Sequence, residues 1–217
     1  MSKAVMLAIQ PQHIQKMFPV IDVELGKLMN NKTIEVRKTA PTIPTPFKCY
    51  IYMTATKERC RFWEYITAYQ NSKGEMLDGS QKVIGEFVCD KIDTYCFGDM
   101  DIPMPAYDGD STCWEFDDGY YITNGQLKQA CLTYEELCDY GKGKTLYGWH
   151  ISNLVVYDKP KELYEFNKFL ACELGKQRCG RDEWQYGEEW CQLCSMESVV
   201  VYPPQSWFYV KERSFNL

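Results

Sequence analysis

Hydrophobic and polar positions alternate or cluster in a way that predicts a chain dominated by strands. Val5 to Ile9 is a short apolar run that predicts a first strand. Pro11 is placed to start a helix carrying His13, Ile14, Met17 and Phe18, which Pro19 interrupts. Val23 to Leu28 is then read as a further helical turn or two. Across Lys32 to Lys38, Ile34 and Val36 fall on one face, and Thr33, Glu35 and Arg37 on the other. That predicts a half-buried strand with a polar face. Thr39 to Pro46 holds three prolines and predicts a loop. Cys49 to Met53 fits a central strand, and Lys82 to Cys89 another, in which Gly85 signals a bulge or a close backbone approach. The polar stretch between them, residues 56–80, predicts an excursion or hairpin.

Further along, Thr133 and Glu136 form a capping box, with Leu132 and Leu137 placed as a hydrophobic staple and the helix ending near Gly141. Gly148 to Tyr157 predicts one long strand. Pro160 predicts a helix with Leu163, Phe166, Phe169 and Leu170 on one face. Gln205 to Val210 predicts a closing strand. Roughly six strands with interspersed helices point to an α+β fold, a mixed and partly closed barrel. The 217 residues are read as one domain, 1–217, with insertions at 97–122 and 172–194.

Composition narrows the class. The 45% hydrophobic and 15% aromatic content argues against disorder. No apolar run reaches the roughly 18 residues of a membrane span. The N-terminal residues lack the pattern of a secretory signal, so a cytoplasmic protein is expected. Eleven cysteines are then expected to be reduced thiols or metal ligands. Cys172, Cys179, Cys191 and Cys194 carry a CxxC pair, and four thiolates suit a structural, tetrahedral zinc. Free thiols are the competing reading.

The net charge of −6 is unevenly spread. Residues 1–61 carry ten Lys and Arg against four Asp and Glu, whereas Asp99 to Tyr120 has seven acids and no base. This pattern favours a focused site for an anion over a broad nucleic-acid track. The residues suited to such a site are Lys32, Thr33, Glu35 and Arg37. An arginine fork holds phosphate or a base edge bidentately, and a carboxylate beside it accepts from an amino group. Tyr52, Trp149, His150 and Trp207 are candidates for stacking on a base, with core packing as the alternative.

Asn30-Asn31-Lys32-Thr33-Ile34-Glu35-Val36-Arg37 resembles the ASCH-domain signature Gly-x-Lys-x-x-Glu-x-Arg, with Asn30 where the family has glycine. Asn tolerates the left-handed backbone a turn there requires. Val83 to Phe87, Tyr147 to Ile151 and Pro203 to Trp207 resemble strands of bacterial and phage ASCH-like proteins. The resemblance implies a PUA-like mixed β-barrel with flanking helices, here with a Cys-rich insertion, and a cleft beside the signature strand. It implies an RNA- or nucleotide-binding module. An amidohydrolase acting on an acylated nucleoside is the first alternative. There the resemblance implies a catalytic lysine, matched by Lys32, and a threonine at the position that Glu35 holds here, with Thr33 two residues earlier. Lys32 and Glu35 are therefore the catalytic candidates. A protein-interaction module using the acidic insertion is the second alternative.

Overall fold

A computed structural model describes residues 3–18, 20–22, 27–29, 32–55, 67–95, 122–169 and 197–212. Fourteen strands and three α-helices are described: β1 Ala4–Ile9, α1 Pro11–Met17, β2 Val20–Asp22, β3 Lys27–Met29, β4 Ile34–Arg37, β5 Phe47–Met53, β6 Ala68–Gln70, β7 Met76–Asp78, β8 Val83–Cys89, β9 Ile92–Tyr95, α2 Asn124–Ala130, α3 Tyr134–Gly141, β10 Leu146–His150, β11 Ser152–Lys161, β12 Phe166–Phe169, β13 Glu197–Val199 and β14 Trp207–Glu212. The largest sheet runs β11-β8-β5-β1-β14-β12-β13, and a second runs β4-β10-β9. The ladders among the described residues leave both sheets open. The result is a sheet-dominated α+β fold; a closed barrel is not formed by these ladders.

β1 pairs in parallel with β5 and antiparallel with β14, and every residue of it is buried. A strand covered on both faces cannot alternate, which is why its sequence reads as an unbroken apolar run. Its Val5, Leu7 and Ile9 join Cys49, Ile51, Met53, Ile84 and Phe87 from β5 and β8 on one face. Ile14 and Met17 of α1 and Trp149 of β10 close this core, so it lies between the two sheets. Ile34 and Val36 of β4 face the other way, onto Tyr95, Ala130, Leu137 and Leu146. That second core fixes α2 and α3 against the smaller sheet. It also turns Glu35 and Arg37 toward β1 and α1.

Gly85 lies where the β5–β8 register slips between Ile51 and Tyr52. A Cβ there would overlap the Val155 carbonyl oxygen of β11, so the close approach expected of this glycine is real. The capping box at Thr133 also forms: its hydroxyl accepts from the Glu136 amide, and the Glu136 carboxylate accepts from the Thr133 amide. Lys142 ends α3 with φ of 52°.

Three expectations are corrected, and one element is new. Residues 20–22 and 27–29 pair as short antiparallel strands, β2 and β3, so Lys27 and Leu28 are in a strand where a helical turn was expected over Val23 to Leu28; residues 23–26 lie outside the described residues. The strand expected over Gly148 to Tyr157 breaks at Ile151, whose amide donates to the Thr33 carbonyl, and its halves belong to different sheets. The helix expected from Pro160 is absent. β11 continues through Lys161, a 3₁₀ turn spans Leu163–Glu165, and Phe166–Phe169 is a strand paired with β13 and β14. The spacing of three between Leu163, Phe166 and Phe169 imitates a helix stripe, but pairing with β14 supplies partners a surface helix would lack. Finally, α2 was not anticipated. It carries its own capping box, Thr123 with Gln126.

Candidate functional site

β4 is the element that positions the site. Lys32 approaches it with its amide bonded to the Lys16 carbonyl at the end of α1, and the Thr33 amide is bonded to the Gln129 carbonyl of α2. The strand is therefore tied at its entrance to two helices. Its polar positions then meet α1 and β1 rather than solvent, so the expected half-exposed polar face is buried instead. Lys32 is 3% exposed and Glu35 4%.

Charge pairing makes this burial tolerable. Lys32 Nζ lies 2.7 Å from Glu35 Oε2, and Arg37 Nη2 lies 2.9 Å from Glu35 Oε1. Arg37 Nη2 also donates to the Ala8 carbonyl at 2.7 Å, tying the triad to β1. Burial pushes the Glu35 carboxyl up, but the Lys32 and Arg37 cations outweigh it and hold the group below the ordinary carboxylate range. Glu35 is thus an ionised anchor and a weak base.

Around this carboxylate the cations are in excess. His13 of α1 is held below the ordinary histidine value, first by burial and then by Lys32, with Lys16 and Arg37 adding to the effect. Among the described residues, His13 Nδ1, Thr33 Oγ1 and Arg37 Nε are buried without a hydrogen-bond partner. Buried polar atoms in native proteins are nearly always satisfied, so a water or a ligand would supply the missing partner here, as it would for Thr54 Oγ1, Thr67 Oγ1 and Trp149 Nε1 elsewhere in the fold. Tyr140 of α3 stands at the exposed end, where Lys38 Nζ lies 4.8 Å from its ring centre and the Arg37 and Glu35 charges act on its hydroxyl. A cavity of about 590 Å³ adjoins the site at Lys16, lined also by Lys128, Leu127, Leu132, Thr133 and Glu136.

The other expected site residues do not join this cluster. Trp149 is 0% exposed and packs on Phe47 and Trp207 in the central core. Tyr52 is buried on the opposite face of the large sheet, with Met6, Ala8 and Val83. His150 sits on the α2 side of the smaller sheet, its Nε2 2.6 Å from Asp93 Oδ2. Asp93 also pairs with Lys91 at 2.7 Å and accepts from Gln126 at 3.0 Å, so this group fastens α2 to the sheet. The Trp207 indole donates to Thr39 at 2.9 Å. The structure adds His13, Lys16, Lys38 and Tyr140. His13 and Lys16, three apart on α1, were legible as one helix face; Tyr140 needed the tertiary fold.

Cys172, Cys179, Cys191 and Cys194 lie outside the described residues, as does nearly all of the acidic segment 97–122. Among the described residues no cluster of His, Cys, Asp and Glu could hold a metal ion, and no helix is long and apolar enough to cross a membrane.

With this geometry in view, the chain can be compared with solved structures. The chain is similar to ASCH structures. One is the crystal structure of ASCH from Zymomonas mobilis, at 12% identity and TM-score 0.43, covering 96% of this chain and 87% of that one. A mutant of the Zymomonas mobilis protein is similar at 12% identity and TM-score 0.43, covering 97% and 91%. No protein-family model and no curated protein matches the chain.

Proposed function

We propose that this chain is an RNA- or nucleotide-binding module that receives its ligand beside the Lys32–Glu35–Arg37 strand. The observation that carries the reading is the buried triad itself. Two cations share one ionised carboxylate, Lys16 and His13 stand next to them, and three buried polar atoms have no partner. Such a site attracts an anion and offers donors to it. In the rest of the chain acids outnumber bases, which confines the attraction to this end and suits a small or single-stranded ligand.

The hydrolase alternative is less well supported by the same geometry. A nucleophile needs a base in hydrogen-bond reach, and Thr33 Oγ1 has no partner among the described residues. Glu35 spends both oxygens on cations and is held ionised by them, which makes it a poor proton acceptor.

Fluorescence anisotropy with a labelled single-stranded oligoribonucleotide and with labelled adenosine 5′-phosphate tests the reading. Lys16→Ala, on the surface-facing side, should weaken binding about 2- to 5-fold. Arg37→Lys, which keeps charge but loses the fork, should weaken it by about 10-fold or more. Binding that is unchanged in both variants, or absent from the wild type, rejects the proposal.

A further inference from the structure

We infer that Tyr140 is the platform on which a nucleobase stacks when a nucleotide unit binds above the triad, and that Lys38 then moves from the ring to the phosphate. The inference rests on the nucleotide-binding reading and names the part of the ligand recognised. Tyr140 is 38% exposed, and Lys38, the residue after Arg37, lies against its ring. Part of the ring therefore faces solvent next to the strand that carries the triad. What covers the ring now is the ammonium of Lys38, 4.8 Å from its centre, and Lys38 itself is exposed.

Magnitudes decide which partner the ring prefers. An exposed cation–π contact is worth about 2- to 5-fold in an equilibrium, whereas a base stacked on an aromatic ring contributes about 5- to 150-fold. A base can therefore displace the ammonium. The released Lys38, which follows Arg37 at the end of β4, is then free to meet a phosphate attached to that base. The other expected stacking residues do not serve this site: Trp149 and Tyr52 are buried in other cores, His150 is held by Asp93, and Trp207 is held by Thr39. The ligand class is accordingly an unstacked base carrying a phosphate, either a free nucleotide or one unit of a single strand.

Titration calorimetry with adenosine 5′-phosphate, ribose 5-phosphate and a six-nucleotide oligoadenylate separates the possibilities. Tyr140→Ala should weaken both base-bearing probes about 10- to 100-fold and leave ribose 5-phosphate unchanged. Tyr140→Phe, which keeps the ring and loses the hydroxyl, should bind within about 2-fold of wild type. Tighter binding of the oligoadenylate than of the mononucleotide would assign the ligand to RNA, and the reverse to a free nucleotide. Equal losses in Tyr140→Ala and Tyr140→Phe would overturn the inference, because the hydroxyl and not the ring would then be at work. Nucleotide binding that survives Tyr140→Ala but fails in Arg37→Lys would overturn it too, while leaving the binding site itself in place. A wild type that binds none of the probes would remove both. If Tyr140→Ala does not fold, Tyr140→Leu replaces it, with the same outcomes.

Discussion

At the residue scale, the decisive fact is that Glu35 is ionised in a place with almost no water. Two cations make that possible, and neither can lose the carboxylate without being left buried and uncompensated. Glu35→Gln should therefore destabilise the fold by about 3–5 kcal/mol, as a shift of the urea midpoint with unchanged slope. Acid should act through the same groups. Glu35 has a folded pKa below its unfolded value, so its contribution is present above the unfolded value and is lost as pH falls through the folded one. His13 is also depressed, so the unfolded chain takes up that proton first, and stability declines as pH drops below the ordinary histidine value near 6.5. Both signs agree. Urea midpoints should fall between pH 8 and pH 5 through His13 and fall again below the ordinary glutamate value of 4.5 through Glu35, and His13→Gln should flatten the first decline without altering the second. A midpoint that rises on acidification would contradict the described environment of both groups. Gly85 makes a simpler case. A methyl there meets a backbone carbonyl that has no rotamer to change, so Gly85→Ala should cost about 1–3 kcal/mol in the same assay.

At the scale of elements, local chemistry was legible wherever it was self-contained. The Thr133–Glu136 box forms as its spacing demands, because both partners lie within one turn. The same motif starts α2 at Thr123 and Gln126. Thr123→Ala and Thr133→Ala should each cost about 0.5–2 kcal/mol of stability. Thr123→Ala should cost the more, since Gln126 also reaches Asp93 and holds α2 to the sheet. Equal losses would mean that the Asp93 link contributes little. Elements chosen by pairing were not legible. Phe166 and Phe169 suit helix or strand equally, and β14 decides between them from some forty residues away. The break at Ile151 has the same origin: its amide is claimed by Thr33, so one strand pattern is divided between two sheets.

At the scale of the whole molecule, the unequal distribution of charge becomes a statement about binding. Glu35 and Arg37 were legible as candidate residues because they alternate on one strand, with Lys32 at its entrance. That they would be buried was not, because burial depends on α1 folding over β4 and on Ala8 lending its carbonyl to Arg37. The aromatic candidates failed for the complementary reason: in a chain that is 15% aromatic, most rings are needed in the core. What remains to meet a ligand is a small cationic set, the exposed Lys38, the half-buried Lys16 and the almost buried Arg37, in a protein whose net charge is −6. A site of that size neutralises only two or three phosphates. For a single strand, the logarithm of the association constant should then fall with the logarithm of salt concentration with a slope of roughly −1.5 to −2. The test is oligoadenylate affinity measured between 50 and 300 mM KCl. Lys38→Ala should reduce the slope by about 0.7, the share of one phosphate contact, whereas Tyr140→Phe should leave it unchanged. A wild-type slope steeper than about −5 would require a long cationic track, and would place binding on a surface other than the one built around β4.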